Sequence, residues 1–351
     1  MMKVKFFVYF CTFLFIFTSN FADSKSLSNI SDSDSVTLIF TGNTDGEISP
    51  FQLCGCAPSS GGLARRAYMA NLFRRFNQNV ILLDIGGIFS TKENFSEDRA
   101  KLIFESMNLM GYSCLNLSHN EFIFGIDSLT EMTRNLYFPI VTSNIIYKSN
   151  NLPFKEKYLV KNFGEISFGI IGVVGENFIG QAFDEKLKNT IIALPPEKEI
   201  KKILSEIRPK VDVVILLSHC GYDKTVELIN SLDGIDLAIS THKFLSNAIK
   251  VNDRTKLIAL RPYGPNIDFV TIFKDSKNNI FITDAKVLPL DDIIPSEKAV
   301  SELIQNEVKK EEELKQKEAQ KETQKLNEQL KLTPEQFMKM MMDQQQQRSN
   351  E

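Results

Sequence analysis

Short apolar runs recur along this chain and alternate with stretches whose apolar positions follow a helical period. Residues 36–41, 80–84, 166–174 and 211–217 read as buried strands, and 114–117 and 235–239 as shorter ones. Between them, residues 63–76 and 198–207 predict helices, with Arg65, Arg66, Arg74 and Arg75 on the wetter sides of the first. Residues 139–141 suggest a short strand that Pro139 weakens. Beyond residue 256 the pattern becomes alternating strands at 257–260, 269–273 and 280–287, with Asn278-Asn279 as a hairpin turn between the last two. Strands alternating with helices, then a run of strands, predict a layered α/β sandwich.

The chain has three histidines, His119, His219 and His242, and each stands just past an apolar run. Ligands of open α/β sheets collect beyond the carboxyl ends of the strands. Scattered surface histidines would not share that address, so the three imply one site assembled from loops at a single sheet edge, with metal coordination the first chemistry to consider. Gly169, Gly172 and Gly175 lack the dinucleotide spacing and its distal acid, and read as turn glycines.

The amino terminus has the form of an export signal over residues 1–24: Lys3 and Lys5, an apolar stretch from Phe6 to Phe17, then small residues including Ala22 and Ser24. The apolar stretch is short for a bilayer span, which takes about 20 residues, so no integral span is expected after cleavage. The expected location is the periplasm or another extracytoplasmic face. Cleavage would leave four cysteines, Cys54, Cys56, Cys114 and Cys220, in an oxidising compartment. Cys54-Gly-Cys56 lies in a Gly/Pro/Ser-rich loop, where a bond between the two sulfurs would close a strained, easily reduced ring. Residues 25–35 read as a flexible linker. Residues 291–332 read as a solvated, charged helix rather than a coiled coil, and 333–351 as a low-complexity tail that awaits an unknown protein partner. A net charge of -3 gives no basic field, so nucleic acid is not expected as a partner.

Several blocks, in order and with compatible gaps, resemble the metallophosphoesterase domain of the 5′-nucleotidase family, whose fold is calcineurin-like. They are Thr41-Gly-Asn43-Thr-Asp45-Gly46, Leu83-Asp84-Ile-Gly86-Gly87, Gly111-Tyr112 through Ser118-His119-Asn120-Glu121-Phe122, Leu217-Ser218-His219, Gly234-Ile-Asp236 through Thr241-His242, and Arg261-Pro-Tyr-Gly264. The resemblance covers residues 36–290 and not the family's second, substrate-specificity domain. It implies an α/β fold, a four-layer α-β-β-α metallophosphoesterase sandwich, followed here by the charged helical tail. The Cys-Gly-Cys loop with Gly61-Gly-Leu-Ala-Arg-Arg66 is similar to a subset of exported relatives.

Carried over residue by residue, the resemblance departs at its metal centre. The family needs two ions about 4 Å apart, held by a bridging Asp with Asp, Asn and His around it. Here the bridging position is Gly87, the first-block Asp and His are Asn43 and Asp45, the Asn-His pair is reversed as His119-Asn120, and the last His is Phe244. The remaining metal candidates are Asn43, Asp45, His119, His219 and His242, enough for one divalent ion such as Zn or Mn. Asp45, His219 and His242 with a water form one option. Another brings in Cys54 or Cys56, which would favour a softer ion. Candidate catalytic residues are His119, Asn120 and Asp45. Asp84 and Glu121 are expected to hold loops in shape. Two functions compete: a divergent hydrolase of small phosphoesters or nucleotides, and a catalytically inactive binding or thiol-redox module acting through Cys54 and Cys56.

Overall fold

The structure, a computed structural model, describes residues 35–52, 59–176, 185–241 and 248–330. It divides into two units, Met1–Ser301 and Glu302–Glu351. In chain order the first unit comprises β1 (Ser35–Thr41), α1 (Leu63–Phe76), β2 (Val80–Asp84), α2 (Glu97–Met110), β3 (Cys114–Leu115), α3 (Gly125–Met132), β4 (Ile145–Tyr147), β5 (Leu159–Phe163), β6 (Ile166–Val174), α4 (Glu185–Thr190), β7 (Ile191–Ala193) and α5 (Pro196–Ile207). It continues through β8 (Val213–His219), α6 (Tyr222–Ser231), β9 (Leu237–Ser240), β10 (Ile249–Lys250), β11 (Lys256–Ala259), β12 (Asn266–Lys274), β13 (Ile280–Ile282) and β14 (Lys286–Pro289). Helix α7 (Lys298–Leu330) follows, and from Glu302 onward it makes up the described part of the second unit.

Two six-stranded sheets carry the fold. One has the order β13-β12-β1-β2-β3 with β14 also on β12, and the other β10-β11-β9-β8-β6-β5. Alternation decides what each face meets. Val36, Leu38 and Phe40 of β1 point inward and pack with Phe168, Ile170, Ile215 and Leu217 of the second sheet in one core between the sheets. Ile171, Val173, Val214 and Leu216 face the other way and are covered by Ile200, Ile203, Leu204 and Ile207 of α5 and by Leu228 and Ile229 of α6. On the outer face of the first sheet, Phe73 of α1 meets Phe269 edge-on at 4.8 Å. The result is the expected four-layer α-β-β-α sandwich with a C-terminal helix.

Several details differ from the sequence reading. Arg65 and Arg66 are not on a wet side: they are 9% and 3% exposed. Arg65 donates to the carbonyls of Ser59 and Leu290 at 2.9 and 3.1 Å, so its charge is spent on closing backbone turns. Residues 139–141 make only isolated bridges, Ile140 to Leu115 and Val141 to Glu156, and no strand. The run 280–287 is two strands. Pairing moves from Ile272↔Ile282 to Phe269↔Lys286, so the returning chain holds one extra residue, a bulge that bends it. Helices α2, α3 and α6 are not anticipated by the apolar pattern. Ser96 caps α2 by accepting from Arg99 N, and Gly111 ends it in the left-handed region at φ 66°.

Asp268 alternates with Val270 and Ile272 and so faces the space between the sheets, 4% exposed. Burial pushes its carboxyl up to about 7, against the opposing charge of Arg261. A folded-state value above the unfolded one means that this group favours folding below about pH 4 and that the benefit is lost as pH rises through about 7. Asp268→Asn is therefore expected to raise the melting temperature at pH 8, with the gain gone at pH 4. At about 1.4 kcal/mol per pKa unit, the difference is on the order of a few kcal/mol. A gain equal at both pH values would contradict the assignment.

Candidate active site

Strands β1, β2 and β3 are mutually parallel, as are β6, β8 and β9, so their carboxyl ends emerge together within each sheet. The loops that leave them interlock. Asn43 N donates to Gly86 O at 2.7 Å, Asp45 N to Gly87 O at 3.0 Å and Gly46 N to Ile88 O at 3.0 Å, a backbone ladder between the first two loops. The third loop packs directly on Gly86. A Cβ there would lie 2.7 Å from Leu117 C and 2.9 Å from Asn116 O, so only glycine admits this approach. From the second sheet, the Nδ1–H of His219 donates to Ile85 O at 3.1 Å. Four loops thus meet around residues 85–87.

Two buried carboxylates hold this arrangement. Asp84 accepts from Thr41 Oγ1 at 2.6 Å and from Gly86 N at 2.8 Å, and Thr41 Oγ1 also bonds the Tyr112 hydroxyl at 2.8 Å. Burial pushes Asp84 up to about 6, partly offset by these bonds and by Arg66. Glu121 is fully buried. Its Oε2 accepts from Ser118 N at 2.5 Å and Gly87 N at 3.2 Å, and its Oε1 from Ile88 N at 2.7 Å and Phe89 N at 3.3 Å. One side chain therefore ties the second loop to the third, and burial still raises its pKa above the usual carboxylate range.

Gly87, at φ +74°, occupies the centre. A Cβ there would sit 3.1 Å from Asn43 Oδ1 and 3.2 Å from His219 Cε1, so Asn43 and His219 flank one point that carries no carboxylate. Asp45 is turned toward Ser90, which hydrogen-bonds it, and toward Lys92, whose Nζ is 3.9 Å away; burial raises its pKa. His119 opens a 3-10 turn, His119–Phe122, and is half-buried. The amide of Asn120 donates to Phe89 O at 2.8 Å, so that side chain braces the second loop. His242, Cys54 and Cys56 lie outside the described residues. Among the described residues, no three His, Cys, Asp and Glu side chains gather to hold a metal ion, so Asp45, His119 and His219 alone form no three-ligand sphere.

Other contributors escape a reading of the sequence. Asn116 Nδ2 donates to Val173 O at 3.0 Å and Leu217 O at 3.2 Å, joining the third loop to the neighbouring strands β6 and β8 of the second sheet. Its only signal is a lone amide inside an apolar run. Cys114 is fully buried and Cys220 half-buried, both as free thiols. Burial raises both, Cys220 to about 11, so neither is a thiolate at neutral pH.

No protein-family model matches the chain. Bovine (Bos taurus) 5′-nucleotidase is 24% identical over 267 residues, covering 68% of this chain and 45% of the relative. A 5′-nucleotidase precursor of Thermus thermophilus superposes with a TM-score of 0.68 at 20% identity, over 78% of this chain and 58% of that one. The calcineurin-like phosphoesterase YfkN of Bacillus subtilis gives a TM-score of 0.66 at 18% identity, over 80% of this chain and 98% of that structure. The fold is that of a metallophosphoesterase. The sequence relatives are named 5′-nucleotidases and the Bacillus subtilis structural neighbour a calcineurin-like phosphoesterase, so the chain is similar to phosphoester hydrolases. The chain spans about a third to a half of the length of the curated 5′-nucleotidases of rat, cattle and human that it matches. Among the described residues, no helix of this metallophosphoesterase fold is long and apolar enough to cross a membrane.

Proposed function

We propose that this chain is an exported, divergent metallophosphoesterase that hydrolyses small phosphoesters or nucleotides with one divalent ion in place of a pair. The observation that carries the reading is the position of Gly87. Four loops are braced around one point, Asn43 and His219 flank it, and Gly87 at that point has no carboxylate to offer. Two ions do not fit. Without that carboxylate between them, two close cations would repel each other with little screening.

One ion fits better. The Nδ1–H of His219 is committed to Ile85 O, which in the neutral ring places the lone pair on Nε2 and fixes the imidazole, as second partners of metal-bound histidines do. His219 and Asn43, with His242 as a further candidate, would hold the ion, which when bound would supply a Lewis acid for a phosphoryl oxygen. The chain's own groups do the remaining work. Asp84 and Glu121 fix the loops before substrate arrives, and Asn120, with its amide tied to Phe89 O, leaves His119 as the neighbouring proton donor.

A second reading is a non-catalytic binding or thiol-redox module acting through Cys54 and Cys56. It is favoured by the absence, among the described residues, of a three-ligand cluster. A thiol titration of oxidised and reduced protein, set beside phosphate release from AMP over several divalent ions, separates the two. The hydrolase reading expects ion-dependent release that is indifferent to thiol state. Release that is nil with every ion, together with reversible oxidation of the two loop thiols, supports the module instead.

A further inference from the structure

Asn116 belongs to one sheet by its backbone and to the other by its side chain. It follows β3, and its N–H donates to Asp84 O at 2.8 Å, which continues the pairing of β3 with β2. Its Nδ2 crosses to Val173 O on β6 and Leu217 O on β8. The residue is fully buried, and its Oδ1 has no hydrogen-bond partner. A leucine of similar size would leave no unpaired oxygen in the core, so packing alone does not call for an amide here.

These bonds close a circuit around His219. Asp84 is followed by Ile85, whose carbonyl accepts from the Nδ1–H of His219 at 3.1 Å, and Leu217 stands two residues before His219 on β8. Bonds from Asn116 N, Asn116 Nδ2 and His219 Nδ1 thus lock the end of β2, the start of the third loop and the end of β8 to one another. The fit is close. A Cβ on Gly172 would fall 2.2 Å from Val141 O and 2.8 Å from Asn116 Oδ1, so a glycine on β6 gives the amide its place.

We propose that Asn116 is a positioning residue for His219. By fixing the gap between the sheets at this level, it holds the imidazole in its Nδ1–H tautomer with Cε1 beside Gly87 and Nε2 left unprotonated. Partners of metal-bound histidines usually orient the ring directly; here an amide does so at one remove, through the strand that carries it. What the ring binds rests on the single-ion reading of the site, whereas its placement does not.

The test is nitrogen NMR of the isotope-labelled full chain, beside calorimetric binding of Zn alone and phosphate release from AMP. With three histidines in the sequence, substituting each in turn assigns the imidazole signals. The wild type is expected to show His219 as one Nδ1–H tautomer and the Asn116 side-chain amide protected from exchange with deuterated water. Asn116→Leu keeps the volume and removes both donors. It is expected to mix the two His219 tautomers and to weaken, by about tenfold to a hundredfold, the Zn binding that His219→Ala abolishes. Asn116→Ser, a milder change that shortens the reach, is expected to move both readouts in the same direction. Asn77→Leu is the control. Asn77 is buried beside the start of β1, where its Nδ2 donates to Thr37 Oγ1 at 3.1 Å and its Oδ1 accepts from Asn79 N at 2.8 Å, so this change is expected to lower the melting temperature and leave His219 as it was. An Nε2–H tautomer or a freely exchanging Asn116 amide in the wild type would overturn the proposal. So would an unchanged tautomer in either Asn116 variant, or an equal disturbance of His219 in Asn77→Leu. A tautomer that depends on Asn116, in a wild type that binds no Zn and releases no phosphate, would sustain the positioning and remove the single-ion reading.

Discussion

His219→Ala is expected to lower phosphate release by on the order of a hundredfold or more while the protein stays folded, because a metal-bound site loses both a ligand and its oriented donor set. Among the described residues, the ring brings the second sheet into a site whose other loops belong to the first. It ends β8, is 9% exposed, and reaches across to Ile85 O. The structural part of the loss is the bond to Ile85 O, about 1 kcal/mol, together with the packing of a buried ring, and so a modest fall in melting temperature. A kcat that drops steeply with a near-native melting temperature supports His219 as a ligand. Parallel loss of both would make it a packing residue. An unchanged rate would end the proposed role altogether.

Glu121→Ala has the largest expected effect on stability. It strands the backbone N–H groups of Ser118, Gly87, Ile88 and Phe89 in a fully buried setting. Each orphaned group costs on the order of 1–3 kcal/mol before relaxation. Partial repacking and entering water reduce the sum, so a net loss of about 3–5 kcal/mol is expected in urea unfolding. Glu121→Gln is not a rescue. Its amide nitrogen would replace one acceptor and face two N–H donors, so it is expected to lie between alanine and the wild type. A loss below about 1 kcal/mol for Glu121→Ala would show that the ties between the loops carry little energy.

The layers of this fold are legible because buried parallel strands are written as continuous apolar runs, and β1, β2, β6 and β8 fall on such runs. Helix α2 escapes the apolar pattern although its stops are plain: Ser96 before Glu97 and Asp98, and Gly111 after Met110. Arg65 and Arg66 defeat the pattern because their partners are carbonyls and ring hydroxyls more than 40 residues away in the case of Leu290 and Tyr112. No local period records such partners.

The candidate site is legible as an address and not as a geometry. Strand ends place Asn43, His119 and His219 on interlocking loops, and the gap at Gly87 follows from one letter in a motif. What the sequence does not convey is which way each donor turns. Asn43 and Asp45 are two residues apart with similar backbone angles, φ 53° and 50°, yet Asn43 flanks Gly87 while Asp45 bonds Ser90.

Elemental analysis of freshly purified full-length protein, taken with phosphate release from AMP on the same sample, bears most directly on the single-ion site. One divalent ion per chain, lost together with activity on chelation and restored with it, is the expected result. Two ions per chain would mean that the centre is bridged by some group other than the missing carboxylate at Gly87. A metal-free, inert protein that no divalent ion activates would contradict the hydrolase outright.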